Sequence, residues 1–130
     1  MKLVLQRATG DCAIAAIATL FELPYEDVYV ETAKVEPLYR GRSGLFLPHI
    51  RAICQRLGLK VKPKRNVQWE ADEGLLVVTW TKGSRHLVGA DHLVALANGV
   101  IADSGDGLIL PPEEFFEREK AKPGSFLEWQ

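Results

Sequence analysis

The order of patterns along the chain predicts an α+β fold. Three helical stretches come first, within residues 11–58, and apolar runs of strand character fill the second half. Between two of those runs stands Asn98-Gly99, the strongest short signal for an antiparallel hairpin. The chain has 130 residues, 47% hydrophobic and 25% charged, which suits one domain (1–130) with a real core. The expected architecture is N-terminal helices, with a central Cys-bearing helix packed on a mostly antiparallel sheet.

Composition narrows the function classes. A net charge of −1 gives no broad basic surface, so no nucleic-acid partner is expected. The two cysteines make no disulfide framework and fit a reducing compartment, so a cytoplasmic location is expected. Met1–Gln6 is too short an apolar run for a signal peptide. No stretch approaches the ~18 apolar residues that span a bilayer, so no membrane partner is expected. No internal repeat or low-complexity linker is present. Oligomeric state is not readable, since Trp69, Trp80 and Trp129 suit a core or an interface equally.

Residues 2–5 read as a short strand or an extended lead-in. A polar loop, Gln6-Arg7-Ala8-Thr9-Gly10, then enters helix one at 11–22, where Ala, Ile and Leu dominate. A helix with no polar stripe belongs in the middle of a domain. Asp11 reads as its N-cap, with the carboxylate on first-turn N–H groups. Cys12 then occupies the first helical position, where unpaired N–H groups and the helix dipole favour a thiolate, as a nucleophile needs. Leu23-Pro24 ends this helix, and a second runs from Pro24 to about Lys34 with Glu26 and Asp27 in its first turn. Residues 35–47 read as a loop. Pro48 opens a third helix whose buried face is Ile50, Ile53, Cys54 and Leu57, stopped by Gly58. Cys54 on that face reads as core.

In the second half, Leu59–Lys62 alternates and Leu75–Trp80 suits a strand covered on both faces. His92–Ala97 and Val100–Asp103 flank the Asn-Gly turn, Leu108–Leu110 is a short strand, and Pro112 opens a surface helix. Phe126–Trp129 reads as a final edge strand. A two-residue turn pairs Ala97 with Val100, Leu96 with Ile101, Ala95 with Ala102 and Val94 with Asp103. His92 and Asp103 then share a face with Val94, Leu96 and Ile101, as diagonal neighbours about 7–8 Å apart at the backbone. That face is expected to pack on helix one, so that Cys12, His92 and Asp103 converge as nucleophilic catalysis requires. A one-residue register slip would separate His92 from Asp103.

Each residue also has a plainer reading. His92 alone suits a satisfied core or surface histidine, Asp103 a turn residue, and Cys12 a small buried apolar residue. His86 is the rival base, ranked second because Gly83 and Ser84 suggest a loop. Asp103–Gly107 fails the EF-hand pattern, and Cys12, Cys54, His49, His86 and His92 hold no close ligand pair, so no metal or cofactor is expected. Arg40-Gly41-Arg42-Ser43-Gly44 suits an anion or a solvated loop bordering the cleft.

Together these residues resemble the papain-like cysteine peptidases. Gln6 and Cys12 are separated by five residues, and His92-Leu93-Val94-Ala95-Leu96 is followed by Asp103. With Ser43-Gly44-Leu45 ahead of a helix ending Leu57-Gly58-Leu59, the match is closest to the bacteriocin-processing peptidases (family thirty-nine of the cysteine class). The resemblance covers most of the chain. It implies a papain-like fold and a peptide or protein substrate. Gln6 would supply an oxyanion-hole amide and Cys12 the nucleophile and a backbone N–H. His92 would be base then acid, and Asp103 would orient it. Two departures stand out: Ala13 follows the nucleophile where Gly is usual, and Ser104 follows the Asp where Pro is usual. These residues hold no ATPase or membrane part, so the leader-cleaving exporter itself is not expected. The alternative reading is an inactive module that binds a leader or other peptide; deamidation or transamidation would use the same residues.

Overall fold

The computed structural model describes residues 1–39 and 44–130. Helices α1 (Cys12–Phe21), α2 (Tyr25–Val35) and α3 (Leu47–Arg56) precede strands β1 (Val61–Lys64), β2 (Gly74–Trp80), β3 (Asp91–Ala97), β4 (Val100–Asp103) and β5 (Leu108–Leu110). Helix α4 (Pro112–Glu119) and strand β6 (Ala121–Trp129) complete the chain. The strands form one antiparallel sheet in the order β1-β6-β2-β3-β4-β5. The α+β reading therefore holds. Among the described residues, no helix is long and apolar enough to cross a membrane.

Local chemistry explains most element boundaries. Ala13 to Ala18 are each at most 1% exposed, so α1 is central, as its lack of a polar stripe requires. It ends where Glu22 turns left-handed (φ 54°) and the Leu23 N–H returns to the Ala18 carbonyl at 3.0 Å. Pro24 caps α2 rather than opening it, and Glu26 and Asp27 sit in the first turn. Helix α3 starts one residue before Pro48, and His49 Nδ1 accepts the Phe46 N–H at 3.3 Å. Residues 2–5 form no strand; the Lys2 and Val4 N–H groups tie this extended lead-in to Thr19 of α1.

The hairpin adopts the expected register: Ala97 faces Val100, Leu96 faces Ile101 and Ala95 faces Ala102. Asn98 (φ 54°) and Gly99 (φ 75°) are both left-handed, as the two-residue turn matching strand twist demands. Two expectations fail. Phe126–Trp129 is not an edge: β6 is nine residues long and lies between β1 and β2. Lys122-Pro123-Gly124-Ser125 hides its first half from pattern reading, and the ladder accepts Pro123 beside a bulge opposite Leu76 and Val78. The second failure concerns the sheet faces. Val94, Leu96 and Ile101 pack with Phe115 of α4, not on α1. Helix α1 instead seats on Leu93, Ala95, Ala97 and Ala102. Small side chains on both surfaces let the helix approach closely, while the bulky face is covered by Phe115 and Phe116 of α4.

Ala95→Leu would force a larger side chain into that seat, so unfolding free energy should fall by about 1–3 kcal/mol. Ile109→Ala, on the half-exposed outer strand, should stay within about 0.5 kcal/mol. Urea unfolding of the two variants checks both.

Candidate active site

The loop ahead of α1 is built around the Asp11 carboxylate, which is wholly buried. It accepts the N–H groups of Arg7 (2.8 Å) and Ala8 (3.2 Å), the Gln6 amide (3.1 Å) and the Tyr25 hydroxyl (2.6 Å). Burial and that last bond push the Tyr25 pKa above its ordinary value. Arg7 lies over the Tyr25 ring at 4.1 Å and pairs with Glu26 at 2.7 Å, while the Tyr39 hydroxyl donates to the Gly10 carbonyl at 2.8 Å. Asp11 is the N-cap by position, yet its side chain makes no capping bond. The expected cap is thus corrected: the carboxylate turns back into the loop, where four donors outbid the first helical turn. The N-terminal turn of α1, which carries Cys12, is left without a side-chain cap.

At the far end of the sheet the His92 ring meets Asp103, Nε2 to Oδ1, at 2.8 Å. Both lie on one sheet face, as the hairpin register requires. Beyond the last pairing of β3 with β4, at Ala95 and Ala102, the ring also reaches the Cys12 thiol. Burial of His92 opposes its charge, but the bond to Asp103, the contact with Cys12 and the charges of both outweigh it. The net effect pushes its pKa up to about 10. Burial acts to raise the Asp103 pKa; His92 and the Gly105 N–H (2.9 Å) nevertheless hold it below the usual carboxylate value. Asp103 Oδ2 is buried without a hydrogen-bond partner among the described residues.

Gln6 lies beside this pair. Its backbone N–H donates to the Ser104 carbonyl at 3.1 Å, and its Oε1 is near Gly105. Its Nε2, however, donates to Asp11 and to the Ala8 carbonyl (3.2 Å), so both amide hydrogens are engaged within the loop. Cys12 and His92 together line a cleft of about 600 Å³, with Phe46, Ile50, Val77 and Leu93 among its apolar walls. A second hollow of about 580 Å³, between α3 and β1, carries neither thiol nor imidazole.

The remaining candidates fall elsewhere. Cys54 is fully buried on α3, and burial pushes its thiol up to about 12. His86 belongs to a separate group: its Nε2 meets Asp106 at 2.9 Å, and Arg85 joins Asp106 (3.0 Å) to Glu119 (2.9 Å). His86, Asp106 and Glu119 could gather around a cation, but the Arg85 guanidinium already bridges both carboxylates. Arg40–Ser43 of the proposed anion loop lie outside the described residues. Sequence reading missed Tyr25, Tyr39, Trp80 and Asp106, whose partners lie 14 to 29 residues away or depend on how loops fold back. No family model, curated protein or solved structure matches the chain.

A Cβ at Gly105 would stand 2.7 Å from Gln6 Oε1 and 3.3 Å from Asp103 Oδ1. The Gln6 end is flexible, so Gly105→Ala should shift the Gln6 side-chain amide resonances while costing no more than about 1 kcal/mol. Unchanged Gln6 resonances would show that the two residues do not meet.

The raised His92 pKa has a sign. Its stabilisation is complete below the ordinary histidine value of 6.5 and is lost as pH rises towards 10. The lowered Asp103 pKa adds stability that is present above 3.8 and lost as pH falls below it. The stability gap between the wild type and His92→Gln should therefore be widest between these limits and shrink by pH 10, as read by urea unfolding at several pH values.

Proposed function

We propose that the chain is a thiol hydrolase of papain-like fold, cleaving a peptide or isopeptide bond of a peptide or protein substrate. One observation carries the reading: the His92 ring, bonded to the buried Asp103 carboxylate, shares the wall of an apolar cleft with the Cys12 thiol. An imidazole near a cysteine at the start of a helix is the arrangement nucleophilic thiol catalysis uses. The Cys12 Sγ attacks the scissile carbonyl carbon, and its backbone N–H faces the developing oxyanion. His92 gives its proton to the leaving amine, which departs and leaves a thioester. Water then loses a proton to His92 as it attacks, and the acid is released with the thiol restored. Asp103 keeps the ring's orientation and charge throughout.

Gln6 is the proposed second oxyanion donor. Its amide would have to leave the Ala8 carbonyl or Asp11 to serve, and such a donor is worth about 2.7–4 kcal/mol of barrier. Those engaged hydrogens favour a second reading, an inactive module that holds a peptide in the same cleft.

The deciding experiment is alkylation by iodoacetamide, resolved by peptide mass. Under the hydrolase reading Cys12 reacts far faster than Cys54, and His92→Ala and Asp103→Ala both slow it. Peptide-library cleavage by the wild type, abolished in Cys12→Ala, completes the case. Equal sluggishness of the two thiols, untouched by His92→Ala, would leave the binding module.

A further inference from the structure

A second histidine–carboxylate pair stands behind the first. The Trp80 indole is 6% exposed and stacks on the His92 ring, with centroids 5.3 Å apart and planes 27° from parallel. The same indole stacks on His86, at 4.2 Å and 25°. His86 is itself held by Asp106 at 2.9 Å, and its backbone N–H donates to Ser84 Oγ at 3.1 Å. Asp106 lies three residues after Asp103 in one turn, which is closed by the Gly107 N–H on the Asp103 carbonyl at 2.9 Å. Both ends of the assembly therefore return to the same turn: His92 to Asp103, and His86 to Asp106.

The backbone of Trp80 is fixed by bonds to Ala90 and Gly89, but among the described residues its indole is held by neighbouring rings and apolar side chains. His86 presses on that plane from the 81–90 loop. A ring that can slide or tilt beside His92 loosens the geometry at Nε2 and Nδ1 together, because both nitrogens move with one ring. The stacked partner is also suited to the charge: an aromatic face attracts an imidazolium.

We propose that Trp80 and His86 are positioning residues for His92, with Asp106 holding His86 in the stack. This rests on the thiol hydrolase reading, since it concerns the group that activates Cys12. In this role His86 acts through Trp80 and not as the base. The Arg85 and Glu119 side chains complete its surroundings, with Glu119 Oε1 at 3.9 Å and Arg85 bonded to the shared Asp106.

The test measures Cys12 alkylation by iodoacetamide against pH in the intact protein, in wild type, His86→Ala, His86→Phe and His92→Ala. One lost stacking contact should slow alkylation by His86→Ala roughly two- to tenfold. The acid limb of its profile should move to higher pH. His86→Phe keeps an aromatic face without the Asp106 bond and should recover part of the rate, the remainder being the share of that bond. Wild-type behaviour in His86→Ala overturns the inference, and so does His86→Phe as slow as His86→Ala. If His86→Ala does not fold, His86→Leu, which fills the space without an aromatic face, takes its place: the same slowing supports the inference, and an unchanged profile overturns it. His92→Ala separates the two levels. Slowing there, with His86→Ala unchanged, removes only the positioning role, whereas no effect of His92→Ala removes the hydrolase reading beneath it.

Discussion

The seat of α1 on the sheet constrains the rest of the molecule. Ala13 and Ala16 of the helix belong to the same buried cluster as Ala95, Ala97 and Ala102 of the strands. Alanine on both surfaces brings helix and sheet backbones close, and close packing leaves little tolerance for shifting either one. The consequence is positional. The tip of α1 is delivered to the end of β3, so a thiol at the first helical residue lies within reach of an imidazole at the second strand residue. The bulky face of the same strands, with Leu76, Val94, Leu96 and Ile101, must then be covered separately, which is the work of Phe115 and α4.

A buried carboxylate is costly unless its lone pairs are filled. Asp11 meets that requirement with neutral donors only, two backbone N–H groups, an amide and a phenol. Filling them this way orders the loop from Gln6 to Gly10 and leaves the helix start open. It also sets up a competition, because the amide that completes Asp11 is the one an oxyanion site would borrow. Stability of the loop and availability of Gln6 pull in opposite directions.

The two histidines differ in the reason they are held. His92 is fixed by a buried carboxylate with one oxygen unpartnered among the described residues, in surroundings where a charge pair is strong because water is largely excluded. His86 is half-buried among Asp106, Glu119 and Arg85, where solvent and the guanidinium share the charge. Trp80 links them through its faces rather than through hydrogen bonds.

Sequence by itself determined the features that backbone sterics and side-chain period control. The all-apolar run of α1, the i, i+3, i+4 face of α3 and the left-handed Asn98-Gly99 turn were legible because each depends on neighbours within a few residues. The turn fixed the register, and the register put His92 and Asp103 on one face. Tertiary structure alone decided the rest. Both faces of β3 are apolar, so only the volumes of the opposing layers could choose the alanine face for α1. Pro123 and Gly124 carry no strand signal of their own, and their place in β6 depends on β1 and β2 lying on either side of it. Asp11 turned from cap to loop hub because Tyr25 and the N–H groups of Arg7 and Ala8 gathered around it, and the stack of His86, Trp80 and His92 joins three elements that no local pattern connects.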